Sequence, residues 1–112
     1  MKHTVSLKKT FEFRKVYGRG SSIANRLLVM YILKNGQTYN RLGISVSKKV
    51  GNSVVRSRVT RLIRESYRLK EEQIQIGYDI VIIARNTASK ATYWDIDSAV
   101  AHLCRKHKIN QN

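Results

Sequence analysis

The stretch from Lys48 to Lys70 constrains this chain most, because it reads as one helix with an apolar face and an arginine face. At about 100° per residue, Val55, Val59, Leu62, Ile63 and Ser66 gather on one side. Arg58, Arg61, Arg64 and Arg68 fall roughly opposite, with Arg56 at the edge of the basic face. The apolar stripe has to be buried against another element. Folding makes no such demand for the arginines. The segment carries eight Lys or Arg against one acid, Glu65, and like charges three or four positions apart cost roughly a few tenths of a kcal/mol each. A solvated helix face normally mixes signs, whereas a polyanion would turn this local repulsion into attraction. Arginine outnumbers lysine here, and its planar fork grips phosphate bidentately and stacks on bases.

Around this helix the periodicity changes. Leu27–Leu33 is a strand-like apolar run, followed by the turn pair Asn35-Gly36. Arg41–Ser47 alternates, with Leu42, Ile44 and Val46 on one face and small groups on the other, so the two runs are expected to form a hairpin. Tyr78–Ala84 is a third, strongly β-branched strand, and Tyr93–His107 a second long helix with Ile96, Val100 and Leu103 on one side. Thr10 is expected to cap a short helix from Phe11 to Tyr17, ended by Gly18 and Gly20, while Asn52 caps the arginine helix, which should end between Arg68 and Glu71. The order is α-β-β-α-β-α, with short strand material near Ile23. A strand, a helix and another strand imply a parallel pair within a mixed sheet, hence an α/β (α+β) fold.

The chain has no proline, repeat or low-complexity linker, so residues 1–112 are expected to form a single RNA-binding domain. An apolar fraction of 42% is enough for a core, and a net charge of +15 exceeds what solubility needs. That charge is uneven. Residues 1–20 hold six basic groups against Glu12, whereas residues 71–97 hold five acids against Arg85 and Lys90. Cys104 is the only cysteine, so no internal disulfide can form. With no apolar stretch of membrane-spanning length and no signal core at Met1–Lys9, a cytoplasmic location is expected.

Protein-based catalysis finds little support. A nuclease of this size would need clustered carboxylates or a histidine pair, and the seven acids are scattered. His3 lies in a tail expected to be mobile. His102, Cys104 and His107 superficially match zinc spacing, yet only Cys104 and His107 share a helical face and no second cluster completes four ligands. Cys104 therefore reads as a small buried hydrophobe, and the histidines as surface residues. Gly43 and Gly51 lack the spacing of a phosphate loop. Phe13 and Tyr17, four apart on the first helix, and Tyr31 on the first long strand have two readings. They anchor a helix to a sheet, or they form a stacking platform for unpaired bases.

Several segments together resemble the bacterial ribonuclease P protein subunit: Lys8-Lys9, Phe13–Tyr17, Ser22–Arg26, Leu42–Asn52, Arg56–Glu65 and Gly77–Arg85. The resemblance covers nearly the whole chain. It implies a two-layer sandwich with a left-handed βαβ crossover, similar to a ribosomal-protein domain and to domain IV of elongation factor G. It further implies a ribonucleoprotein partner, the catalytic RNA of ribonuclease P, and a substrate, precursor tRNA, whose 5′ leader the holoenzyme removes by endonucleolytic hydrolysis. The RNA would hold the Mg²⁺ ions and perform the chemistry, and no obligate protein partner is implied. Carried over by position, the catalytic-RNA contacts fall on Lys48, Lys49, Asn52, Arg56, Ser57, Arg58, Arg61, Arg64 and Arg68. The leader contacts fall on Phe13, Tyr17 and Tyr31. Ser57 stands where the family motif usually has asparagine, and Thr60 where a basic residue is common; serine still donates a hydrogen bond but reaches less far.

The main rival is a non-enzymatic RNA-binding or assembly protein of the ribosomal kind, which would share charge, core and fold. A stand-alone nuclease lacks the carboxylate or histidine constellation. A membrane-surface role would need charges and aromatics on one amphipathic helix, and here they lie apart.

Overall fold

A computed structural model describes residues 1–111. In chain order the elements are β1 (Thr4–Ser6), α1 (Thr10–Arg19), β2 (Ser21–Ala24), β3 (Leu28–Lys34), β4 (Asn40–Ser45), α2 (Ser53–Lys70), β5 (Tyr78–Ala84) and α3 (Tyr93–Lys106). Single 3₁₀ turns at Glu71–Gln73 and Asn86–Lys90 flank β5. The five strands form one mixed sheet in the order β1-β4-β5-β3-β2.

β5 takes the centre because its run Ile80-Val81-Ile82 is buried on both faces, and only an interior strand can use such a run. It pairs parallel with β4, from Arg41↔Asp79 to Ser45↔Ile83, and antiparallel with β3, from Leu28↔Ala84 to Lys34↔Tyr78. The expected parallel pair around the arginine helix is therefore present. The expected hairpin is not. β5 inserts between β3 and β4, so residues 35–39 bridge two strand spacings, about 10 Å. The turn chemistry at Asn35-Gly36 survives inside this wider loop. Gly36 has φ 71°, Asn35 Oδ1 accepts from the Gln37 amide at 2.8 Å, and Asn35 Nδ2 donates to Asp79 at 3.0 Å.

Strand alternation divides the apolar residues between two faces. Leu28, Met30, Leu42, Ile80 and Ile82 meet Val59, Ile63 and Tyr67 of α2 and Ile96, Val100 and Leu103 of α3 in the main core. α2 lies toward β4, and α3 toward β3 and β2. On the opposite face α1 alone packs, through Val16 with Leu7 and Val81. One helix covers only part of a five-stranded face.

The helix ends follow the expected chemistry with one exception. Asn52 Oδ1 accepts from the Val55 amide at 3.0 Å, and Thr92 and Asp95 form a reciprocal box at the start of α3. At α1, Thr10 is the first helical residue instead of the cap. Glu12 reaches back to the amides of Lys8 and Lys9, at 3.2 and 2.9 Å, and does the capping.

The N-terminal segment, expected to be mobile, is tied down. β1 runs parallel to β4 from Thr4↔Asn40 to Ser6↔Leu42. The buried Glu71 carboxylate accepts from the amides of Lys2 (2.7 Å) and His3 (3.1 Å), and Thr4 Oγ1 meets the buried Tyr67 hydroxyl at 2.9 Å. Burial works against the charge on Glu71, but hydrogen bonds from Thr4, Lys2 and His3 outweigh it and hold the carboxyl below its ordinary 4.5. A depressed folded value contributes stability above pH 4.5, lost as pH falls through the folded value. Glu71→Gln is therefore expected to lose about 1–2 kcal/mol at pH 7. Acid unfolding followed by circular dichroism should show a shallower loss for the variant than for wild type below the carboxylate range.

Candidate nucleic-acid interface

The sheet face that α1 leaves partly open is an aromatic cleft. Phe13 and Tyr17, one helical turn apart, both point down from α1, and Tyr31 rises from β3 to meet them. Ring centroids lie 6.3 Å apart for Phe13–Tyr17 and 5.1 Å for the edge-on Tyr17–Tyr31 pair. Phe13 and Tyr31 are half-buried against the small core of Leu7, Val16 and Val81, whereas Tyr17 stays 39% exposed. Partial burial pushes its phenol upward despite the hydrogen bond with Ser45, so it remains a neutral O–H at pH 7. The register brings Gly43, Val81, Tyr31 and Ser22 into one row across four strands, and Ser45, Ile83, Val29 and Ala24 into the next. These rows make a mostly apolar floor beside the rings.

Gly43 sets how closely the rings approach that floor. A Cβ there would stand 2.6 Å from the far edge of the Phe13 ring and 3.3 Å from a Leu7 methyl. Any side chain at this position lifts Phe13 off the sheet. A charged clasp fixes α1 above the cleft: Arg41 donates to both oxygens of the buried Asp79 at 2.8 and 2.7 Å, and to Glu12 at 2.6 Å. One guanidinium thus joins β4, β5 and the first turn of α1. Gly43, Ser45 and this clasp are absent from the sequence-derived site. The alternation of small groups along Arg41–Ser47 was the available signal for Gly43 and Ser45; nothing local marks Arg41, whose partners are 29 and 38 residues away.

The basic side of α2 is not uniform. Ser57, Arg61, Arg64 and Arg68 form its exposed crest, while Arg56 and Arg58 on the flanks are half-buried. Arg56, Ser57, Thr60, Arg61 and Arg64 line an open groove of about 470 Å³ against Ile44 and Val46, at the edge of β4. Within it, the Nε of Arg56 is buried without a hydrogen-bond partner. A buried donor left unpaired costs about 1–3 kcal/mol, and Arg56 shares its groove with the guanidinium groups of Arg61 and Arg64. Arg58 points to the other flank, where it donates to the carbonyls of Ala91 (2.5 Å) and Ser89 (3.5 Å) and ties α2 to the turn before α3. Arg68 pairs with Glu65. Lys48 and Lys49 are exposed on the loop from β4 into α2, where Asn52 is engaged as the cap.

The sequence-derived set thus divides by geometry. Phe13, Tyr17 and Tyr31 converge on one sheet face. Arg56, Ser57, Arg61 and Arg64 line the groove, Lys48 and Lys49 stand exposed on the loop before α2, Arg58 is held by the carbonyls of Ser89 and Ala91, and the exposed Arg68 pairs with Glu65. The residues once weighed for metal spacing do not converge. Cys104 is buried, its thiol pushed up to about 11 by desolvation. His107, expected at the surface, is half-buried with Nε2 at 2.8 Å from the Met30 carbonyl, and His102 Nδ1 faces Asn25. Among the described residues no three His, Cys, Asp or Glu side chains stand close enough to hold a metal ion, and no helix is long and apolar enough to cross a membrane.

Known proteins match this chain over nearly its full length. The family model for Ribonuclease P matches residues 1–108. The ribonuclease P protein component of Alkaliphilus oremlandii is 55% identical over 109 residues, covering 97% of this chain and 96% of that protein. That of Clostridioides difficile is 54% identical over 108 residues, covering 96% and 95%. The RNase P protein of Staphylococcus aureus superposes with a TM-score of 0.88 at 37% identity, covering 95% of this chain and 97% of the other. That of Thermotoga maritima superposes with a TM-score of 0.83 at 30% identity, covering 90% and 96%. Matched by the family model over residues 1–108 and by relatives of this identity, coverage and fold, the chain belongs to the ribonuclease P protein family.

Proposed function

We propose that this chain serves as the protein component of ribonuclease P, gripping the catalytic RNA along the α2 groove and the single-stranded 5′ leader of precursor tRNA in the aromatic cleft. The observation that carries the reading is the Phe13–Tyr17–Tyr31 platform, with its rings 5.1 and 6.3 Å apart above an open sheet face. Sequence-tolerant stacking on such rings suits leaders that share no sequence, because every base has a π-face. The arginines of α2 supply the other half. They neutralise phosphates of a structured RNA, which needs charge and shape more than base readout.

The protein does no bond-breaking in this account. Its acids are engaged in caps and ion pairs, and its side chains offer no metal cluster among the described residues. The RNA would hold Mg²⁺ and hydrolyse the phosphodiester. The protein's part is binding energy and charge: leader contacts made in the cleft fix where the substrate lies, and the arginines offset repulsion between two polyanions. Less Mg²⁺ is then needed to assemble the complex. The location that follows is wherever precursor tRNA is matured, the cytoplasm.

Multiple-turnover cleavage of a precursor tRNA by ribonuclease P RNA tests this at low Mg²⁺, with and without the protein. Cleavage at the mature 5′ end that requires both components is expected. Tight RNA binding without any change in cleavage would transfer the protein to the ribosomal-type assembly reading.

A further inference from the structure

A second cationic pocket lies on the opposite side of the helical layer, lined by Asn25, Arg26, Asp95, Ser98, His102 and Arg105, with a volume of about 330 Å³. Its walls are fixed by one asparagine. Asn25 Oδ1 accepts from the amides of Leu27 (3.2 Å) and Leu28 (2.9 Å), which leaves Nδ2 to donate to the Ala99 carbonyl at 3.0 Å and to His102 Nδ1 at 3.2 Å. His102 Nδ1 is therefore the acceptor, and the ring proton of the neutral imidazole sits on Nε2 as a free donor. The adjoining backbone is held as well. Arg85 donates to the Asn25 carbonyl at 2.7 Å, and the Thr87 hydroxyl to the Arg26 carbonyl.

Positive charge prevails in this pocket, since Arg26 and Arg105 face one carboxylate, Asp95, which feels the nearby Arg26. The acid on its rim, Asp95, is occupied at the start of α3, where its carboxylate accepts from the Thr92 amide at 2.9 Å. None of the ion pairs among the described residues involves Arg26 or Arg105. Two guanidinium groups, an imidazole N–H and the Ser98 hydroxyl thus surround a concavity with no protein anion bonded to them. That donor set matches a phosphate oxyanion. Its position matters as much as its chemistry. The groove of α2 lies along β4 and this pocket beside β2 and α3, three strand spacings apart in the sheet, or about 14 Å.

We propose that the Arg26–His102–Arg105 pocket is a second RNA site, which holds a backbone phosphate of a segment other than the one lying in the α2 groove. The protein then bridges two RNA segments across its helical layer. This inference rests on the RNA-binding reading given above, and its test separates the two. The double variant Arg26→Ala with Arg105→Ala removes only exposed side chains. Its binding to ribonuclease P RNA is measured from low to high salt beside Arg61→Ala and a charge-matched control, Lys2→Ala with Lys34→Ala. The pocket variant is expected to lose about one unit of the log K against log salt slope, and the control clearly less. In parallel, the His102 imidazole resonances of wild type are followed as inorganic phosphate, then the RNA, is added. Shifts with both are expected, and are lost in the pocket variant.

A wild-type or control-like slope in the pocket variant, with a reduced slope in Arg61→Ala, overturns the second site and leaves the groove standing. Unchanged slopes in both overturn the RNA reading together with this one. A His102 shift with inorganic phosphate but not with RNA assigns the pocket to a free anion and overturns the bridging claim.

Discussion

Replacing Phe13 and Tyr17 together by alanine is expected to weaken holoenzyme binding of leader-bearing precursor tRNA by about 10- to 100-fold, since base–aromatic stacking is worth about 1–3 kcal/mol per base. Mature tRNA, which has no leader, should bind within about twofold of wild type. The selectivity follows from geometry. Both rings hang over the open sheet face with Tyr31 as neighbour, and the α2 groove is built on the other side of the sheet. Val16, the fully buried residue of α1, continues to anchor that helix when the rings are gone. Gly43→Ala gives an independent check without deleting an aromatic group. Its new methyl would occupy space within 2.6 Å of the Phe13 ring, so it should reproduce much of the loss of leader discrimination. Equal weakening of precursor and mature tRNA in either variant would count against the cleft.

The other large effect belongs to the groove. Arg56→Ala, Arg61→Ala and Arg64→Ala combined are expected to weaken binding of the catalytic RNA by about 100- to 1,000-fold near physiological salt, at roughly 1–1.4 kcal/mol for each lost solvent-exposed contact. The slope of log K against log salt should fall by about three units, one per lost phosphate contact. Arg58→Ala should behave differently despite its place in the same motif. Its guanidinium holds the carbonyls of Ser89 and Ala91, so the change should appear first as about 1–2 kcal/mol of lost stability in denaturant unfolding. Filter binding across a salt series and urea melts of the same variants separate the two roles.

Local patterns in the sequence reached the elements and stopped at their pairing. The 3.6-residue period placed α2 and α3 almost to the residue, and Asn52 was readable as a cap because it precedes an uninterrupted helical stretch. The run Tyr78–Ala84 was readable as a strand; its place between β3 and β4 was not. A turn pair such as Asn35-Gly36 favours joining its flanking strands, and only the two-sided burial of Ile80, Val81 and Ile82 overrides that preference. β1 escaped notice because three residues carry no period, and its order depends on Glu71, which lies 65 positions beyond its last residue. At the site, the arginines were visible as a charge pattern. Their division into groove-lining Arg56, Arg61 and Arg64 and fold-tying Arg58 depends on which neighbour each flank of the helix meets. The aromatic residues were legible, but the glycine that lets Phe13 approach the sheet was legible only as one small group in an alternating strand. The family resemblance supplied what periodicity could not, namely which RNA and which strand of it each face would meet.

The most direct test of a two-faced protein is residue-resolved chemical-shift mapping with two probes. A short single-stranded oligoribonucleotide of leader length is titrated first, then ribonuclease P RNA. The account predicts that the oligonucleotide moves the resonances of Phe13, Tyr17, Tyr31, Gly43 and Ser45 while those of Arg56, Arg61 and Arg64 stay in place, and that the large RNA broadens or shifts the α2 set. If the oligonucleotide instead shifts the α2 groove and leaves the aromatic cleft untouched, the assignment of leader and catalytic RNA to separate faces is wrong.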